Sequence, residues 1–178
     1  DLYKGAQMPW EWHKPLFDKA AELGITIFSS PFDSTAVDLL EELNAPAYKI
    51  ASFELIDLPL IARVARTGKP MIMSTGMADQ SEIKEAIDAA KDNGCNELVM
   101  LHCVSGYPAP ADQYNLKTIS DLSERFDVLS GLSDHTIGSE ASFLSVGMGA
   151  AAIEKHFIVD RSIGGPDSEF SATPVEFL

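Results

Sequence analysis

"DVLSGLSDHTIGSEASFLSVGMGAAAIEKHF", residues 127–157, reads as strand, helix, strand. The runs "DVLSGLSDH" (127–135) and "AAIEKHF" (151–157) are short and mainly apolar or small. Between them, "GSEASFLSVGMG" (138–149) carries apolar residues at three- and four-residue intervals, the period of a helix. Two strands joined through a helix lie parallel, with a right-handed crossover. Both runs end on ionisable groups: Asp134 and His135 in the first, Glu154, Lys155 and His156 in the second.

The same alternation extends back along the chain. Strands are expected in "GITIFSSPF" (24–32), "AYKIAS" (47–52), "PMIMSTG" (70–76) and "ELVMLHC" (97–103). Helices are expected over 9–24, 34–44, 58–68, 79–94 and 115–126, with a last one opening at Thr173 and Pro174. Asp79, with Glu82 three positions on, forms a capping box for the fourth of these. The result is six βα units with no linker between them, in one α/β domain covering 1–178. Hydroxyls and ionisable groups collect at the C-terminal end of every strand: Ser29 and Ser30, Lys49 and Ser52, Ser74 and Thr75, His102 to Ser105, Ser133 to His135, Glu154 to His156. A barrel builds its site from all its strand ends, whereas an open doubly wound sheet uses mainly one switch point. The expectation is therefore a partial (β/α)8 TIM barrel, strands 3–8. The first two units, roughly 50 to 60 residues, are expected to precede Asp1.

The net charge of −14 argues against nucleic acid or an anionic membrane as partner. No run reaches the ~18 apolar residues of a membrane span, and no signal segment is apparent. Cys95 and Cys103 have neither metal-motif spacing nor a disulfide framework, so a cytoplasmic setting is expected, with both thiols as ordinary core or surface residues.

Strand parity sorts the polar residues. Glu154 and His156 share one side of their strand; Ser133 and His135 share one side of theirs. Two histidines ending consecutive parallel strands suit a divalent metal with open positions, or they are satisfied core histidines. Asp134 and Glu154 are candidate acceptors behind the rings, or strand-end carboxylates paired with Lys155. In "YKIASFE" (48–54), strict alternation sets Lys49 opposite Ser52 and Glu54. The three serve one site only if the strand ends near Ala51 and the chain turns; otherwise Lys49 and Glu54 form a structural pair. "STGM" (74–77) and "VSGYP" (104–108) offer hydroxyls and N–H groups to an anion, or are plain βα turns. "GGPDS" (164–168) places Asp167 in a polar loop.

Taken in order, "SSPFD", "YKIASFE", "STGMA", "LHCVSGYPAP", "GLSDHTIG", "IEKHFIVDR" and "GGPDSEFS" resemble the motif series of the sialic acid synthase family. "MPWEWHK" (8–14) and "GGPDSEFS" look closest to its pseudaminic acid branch. The resemblance implies a transferase that condenses phosphoenolpyruvate with an N-acylated hexosamine, giving a nine-carbon 2-keto sugar acid and phosphate. It implies His135 and His156 as ligands of Mn2+ or Mg2+. It implies Lys49, Ser52, Ser74, Ser105 and Ser133 as phosphoenolpyruvate residues, with Ser105 at a position often occupied by Asn. It implies Glu54, Tyr107 and Asp167 around the sugar, with Glu54 also a proton carrier. It further implies a homodimer and a C-terminal antifreeze-like domain outside this chain, which supplies an arginine to the partner's site. Two rival readings stand beside it: another metal-dependent aldolase or lyase barrel, and a non-catalytic truncated barrel acting as a binding module.

Overall fold

Alternation along each strand sends Tyr48, Ile50, Met71, Met73, Leu98 and Met100 to the outer face and Lys49, Ser74, Cys103, Ser133 and Glu154 to the inner one. The computed structural model describes residues 8–178. Five parallel strands run in sequence order: β1 (Tyr48–Ile50), β2 (Met71–Ser74), β3 (Leu98–Cys103), β4 (Leu129–Asp134) and β5 (Ala152–Lys155). The helices are α1 (Trp10–Leu23), α2 (Ser34–Glu42), α3 (Leu58–Ala65), α4 (Gln80–Asp92), α5 (Lys117–Phe126), α6 (Glu140–Gly147) and α7 (Pro174–Phe177). Each falls within a segment expected to be helical. The Asp79–Glu82 capping box forms at α4, and Thr173 with Glu176 forms another at α7. Together the strands make a curled half-barrel, the partial TIM-type fold.

One strand is reduced. Segment 24–32 pairs only through an isolated parallel bridge, Ser29 to Tyr48, with the Lys49 N–H donating to the Ser29 carbonyl at 3.2 Å. Among the described residues it has a neighbour on one side only, and β1 beside it is three residues long. A ladder that short supports little regular structure.

Outward side chains make the main core. Tyr48, Ile50, Met71, Met73, Leu98 and Met100 are buried against Val37, Leu40, Ile61, Val64, Ile83 and Ile87 from α2, α3 and α4. Tyr48 is fully buried and donates to Glu41 at 2.6 Å, and Lys69 closes the same carboxylate at 2.6 Å. Gly131 on β4 permits the close approach of β5: a Cβ there would lie 2.2 Å from the Ala152 carbonyl oxygen. No helix among the described residues is long and apolar enough to cross a membrane.

Candidate functional site

β1 ends at Ile50, and a 3-10 helix, Ser52–Ile56, turns the chain over the strand end. This satisfies the condition under which Lys49, Ser52 and Glu54 serve one site. Lys49 projects to the inner face, is only 8% exposed, and pairs with Glu154 of β5 at 3.2 Å, not with Glu54. The other oxygen of Glu154 accepts from Ser133 Oγ at 2.7 Å. Curling of the sheet thus lets a lysine on the first strand meet a carboxylate on the fifth.

From Ser133 the cluster continues to the histidines. Ser133 Oγ lies 3.5 Å from His135 Nε2, and the His135 and His156 ring centroids are 5.2 Å apart, near edge-to-face at 70°. His135 Nδ1 lies 3.0 Å from the Val104 carbonyl, so the proton belongs on Nδ1 and the Nε2 lone pair is left available. His156 Nδ1 lies 3.4 Å from Asp167. Tyr107 stacks on His135 at 4.5 Å between centroids, and buried Phe170 contacts the rings of Tyr107, His135 and His156. Cys103 Sγ lies 4.0 Å from His135 Nδ1 and accepts from Ser52 Oγ at 3.5 Å. Ser52 and Ser105 both crowd Gly76: a Cβ on Gly76 would lie 2.4 Å from Ser52 Oγ and 2.9 Å from Ser105 Oγ. Gly76 also has φ +26°, so a side chain there would be strained as well as crowded.

Among the described residues, three buried side-chain oxygens have no protein partner: Glu54 Oε2, Ser74 Oγ and Ser105 Oγ. A buried polar atom left unpaired costs about 1–3 kcal/mol. Unpaired buried hydroxyls are groups that a bound anion could engage. Seven of the ten residues singled out from sequence are therefore linked by direct contacts, through Glu154, Cys103 and Phe170. Glu54, Ser74 and Ser105 stand apart from those contacts, with unpartnered oxygens.

Electrostatics follow burial. Burial raises Glu54 above the usual carboxylate value, so it holds its proton more firmly. Burial likewise raises Tyr107, with Cys103, Asp167 and Glu154 adding to the shift. Burial lowers His156, outweighing the pull of Asp167. For His135 burial also acts downward, but Cys103 and the Val104 carbonyl outweigh it and the net direction is up.

Of the two readings open for each strand-end carboxylate, Asp134 takes the ion pair with Lys155 and Glu154 takes neither. Asp134 faces away from the rings: it is fully buried, pairs with Lys155 at 3.1 Å, and accepts from Thr136 and from Ser142 of α6. Glu154 braces Lys49 and Ser133 rather than a ring. Cys103, Phe170 and Tyr114 were missed. Alternation from Leu101 could have placed Cys103 inward, and an aromatic in a Gly/Asp/Ser loop was a signal for Phe170. No local pattern marks Tyr114. It is fully buried; its hydroxyl accepts from the His135 backbone N–H at 2.6 Å and donates to the Ser133 carbonyl at 3.1 Å. Its own carbonyl meets His102 Nε2.

The pair His135 and His156 fits a divalent cation. An imidazole nitrogen sits about 2.0–2.1 Å from such an ion, so rings 5.2 Å apart are near enough to share one. Among the described residues, no group of three or more His, Cys, Asp or Glu side chains is arranged as a metal cage. A two-histidine site leaves its remaining positions to water or substrate.

The model of the NeuB family matches residues 1–178. The chain is 49% identical over 171 residues to the pseudaminic acid synthase of Helicobacter pylori, covering 96% of this chain and 50% of that protein. It is 42% identical over 166 residues to the N,N'-diacetyllegionaminic acid synthase of Campylobacter jejuni, covering 92% and 50%. Among solved structures, the N-acetylneuraminic acid (sialic acid) synthetase of Leptospira borgpetersenii, in complex with citrate, superposes with a TM-score of 0.93 at 35% identity, covering 98% of this chain and 61% of that one. The chain spans about half the length of the curated relatives it matches.

Proposed function

The chain belongs to the NeuB family, and on that premise we propose that it carries the barrel site of a phosphoenolpyruvate-dependent nonulosonic acid synthase. The N-acylated hexosamine acceptor is most simply the diacetamido-trideoxy sugar of the pseudaminic acid branch, given the 49% identity to such a synthase. The observation that carries the reading is the convergence, on one inner rim, of a buried lysine, unpaired serine hydroxyls and two histidine rings 5.2 Å apart.

Phosphoenolpyruvate is an enol ester, so its C3 is a latent carbanion, and the acceptor is an open-chain aldehyde. Lys49 with Ser52, Ser74, Ser105 and Ser133 holds the carboxylate and phosphate and aims C3 at the aldehyde carbon. His135 and His156 would hold a divalent ion, Mn2+ or Mg2+, which would supply Lewis-acid polarisation of a carbonyl oxygen. Tyr107 and Asp167 border the same rings and orient the sugar. The new C–C bond leaves positive charge at C2. Water adds there, and the adduct collapses by C–O cleavage, releasing phosphate. Glu54, whose carboxyl burial pushes above its usual pKa, is assigned the proton transfer to the oxygen that began as the aldehyde. The dimer and the antifreeze-like domain belong to this reading as parts outside the present chain.

Phosphate release tests it. The intact protein, given Mn2+, phosphoenolpyruvate and the diacetamido-altrose, is expected to release phosphate in step with sugar consumption, and His135→Ala is expected to lose at least about a hundredfold in kcat, since loss of a partner behind a metal ligand already costs about 10–100-fold. Paramagnetic broadening by Mn2+ is expected in the wild type and not in His135→Ala. No phosphate release with any N-acyl hexosamine rejects the reading.

A further inference from the structure

Lys49 and Ser133 are both assigned to phosphoenolpyruvate, yet in this structure both are held by one protein carboxylate. Glu154 reaches Lys49 Nζ with one oxygen at 3.2 Å and takes the Ser133 hydroxyl on the other at 2.7 Å. A single carboxylate therefore engages a cation from β1 and a hydroxyl from β4, as a ligand carboxylate would. We infer that Glu154 is a built-in occupant of the anion seat, which holds Lys49 and Ser133 in position while the seat is empty and is displaced when an anionic substrate enters. The inference rests on the proposed function above and extends it to how the site is kept ready.

Three observations support displacement over a permanent bridge. The Lys49 side chain is 10% exposed, and a buried ammonium without a counter-charge is costly, so it needs a partner between turnovers. The Glu154 side chain is 38% exposed, so its carboxylate can swing towards water at little desolvation cost. Glu54, the other carboxylate near Lys49, leaves one buried oxygen unpaired and does not take the lysine over. Among the described residues, Glu154 is thus the counter-ion of Lys49, and it competes with the incoming anion for the same two groups.

The test is phosphoenolpyruvate affinity, measured by titration calorimetry on the intact protein. Glu154→Gln keeps shape and an acceptor for Ser133 but gives up the charge. It is expected to bind phosphoenolpyruvate about two- to fivefold more tightly, the span of a part-exposed ion pair released from competition, while kcat falls because Lys49 is less firmly placed. Glu154→Asp, one methylene shorter, cannot span both partners and is expected to bind more tightly by a smaller factor; it serves if the Gln variant does not fold. Unchanged or weaker binding in the variant, with normal binding in the wild type, overturns the competition while leaving the proposed function standing. If the wild type itself fails to bind phosphoenolpyruvate, the proposed function falls and this inference with it.

Discussion

Removing one oxygen atom from Tyr114 isolates a brace that holds the end of β4. The side chain is fully buried; its hydroxyl accepts from the His135 N–H at 2.6 Å and donates to the Ser133 carbonyl at 3.1 Å. Burial raises its pKa, so it remains a neutral donor through the physiological range. Tyr114→Phe preserves the ring and leaves the His135 amide without an acceptor in a region where His135 itself is 4% exposed. An unsatisfied buried donor costs about 1–3 kcal/mol, and the lost bond to Ser133 about 1 kcal/mol more. Some relaxation of the strand end offsets part of the sum, so the expected destabilisation is about 2–3 kcal/mol. Urea unfolding followed by far-UV circular dichroism reads this as a lower midpoint with an unchanged m-value. The same variant is expected to depress turnover more than substrate affinity, because Ser133 and His135 lose their common anchor. A Tyr114→Phe protein within about 0.5 kcal/mol of wild type would refute the reasoning, since surface-like substitutions fall in that range.

Two further outcomes follow from buried charges outside the rim. Asp134→Ala strands Lys155, whose side chain is 9% exposed, and should cost about 3–5 kcal/mol in a urea titration; Lys155→Met in that background should recover part of the loss, and a double variant no better than Asp134→Ala would count against the pairing. His102 is buried and held below the ordinary imidazole pKa, so the unfolded chain takes up the proton first. Its contribution to stability is therefore complete above the unfolded value of about 6.5 and is lost as pH falls below it, with a slope of at most about 1.4 kcal/mol per pH unit. Unfolding free energies from pH 7.5 to 5.5 should show a shallower acid decline in His102→Gln, and superimposable pH slopes would exclude the effect.

Much of the architecture was legible because it depends on local periodicity. Apolar spacing located the helices, and Asp79 and Thr173 marked two of their starts. Strand alternation paired Glu154 with His156 and Ser133 with His135 on shared sides, and gathering of polar residues at strand ends pointed to a barrel rim. The segment 24–32 reads as a strand by composition but pairs through one bridge, because ladder formation depends on neighbours and not on the segment alone.

Sequence by itself determined which residues share one side of a strand, in what order they come, and which turns cap the elements, since each of these is set by contacts a few residues long. Only the tertiary structure decided who meets whom: Lys49 with Glu154 rather than Glu54, Asp134 with Lys155 and α6 rather than a histidine, and Tyr114 beneath His135. The reason is curvature. Parity fixes the side of a strand on which a group lies, but the distance from the first strand to the fifth depends on how far the sheet curls, and that is a sum over every strand pair and helix packed behind it.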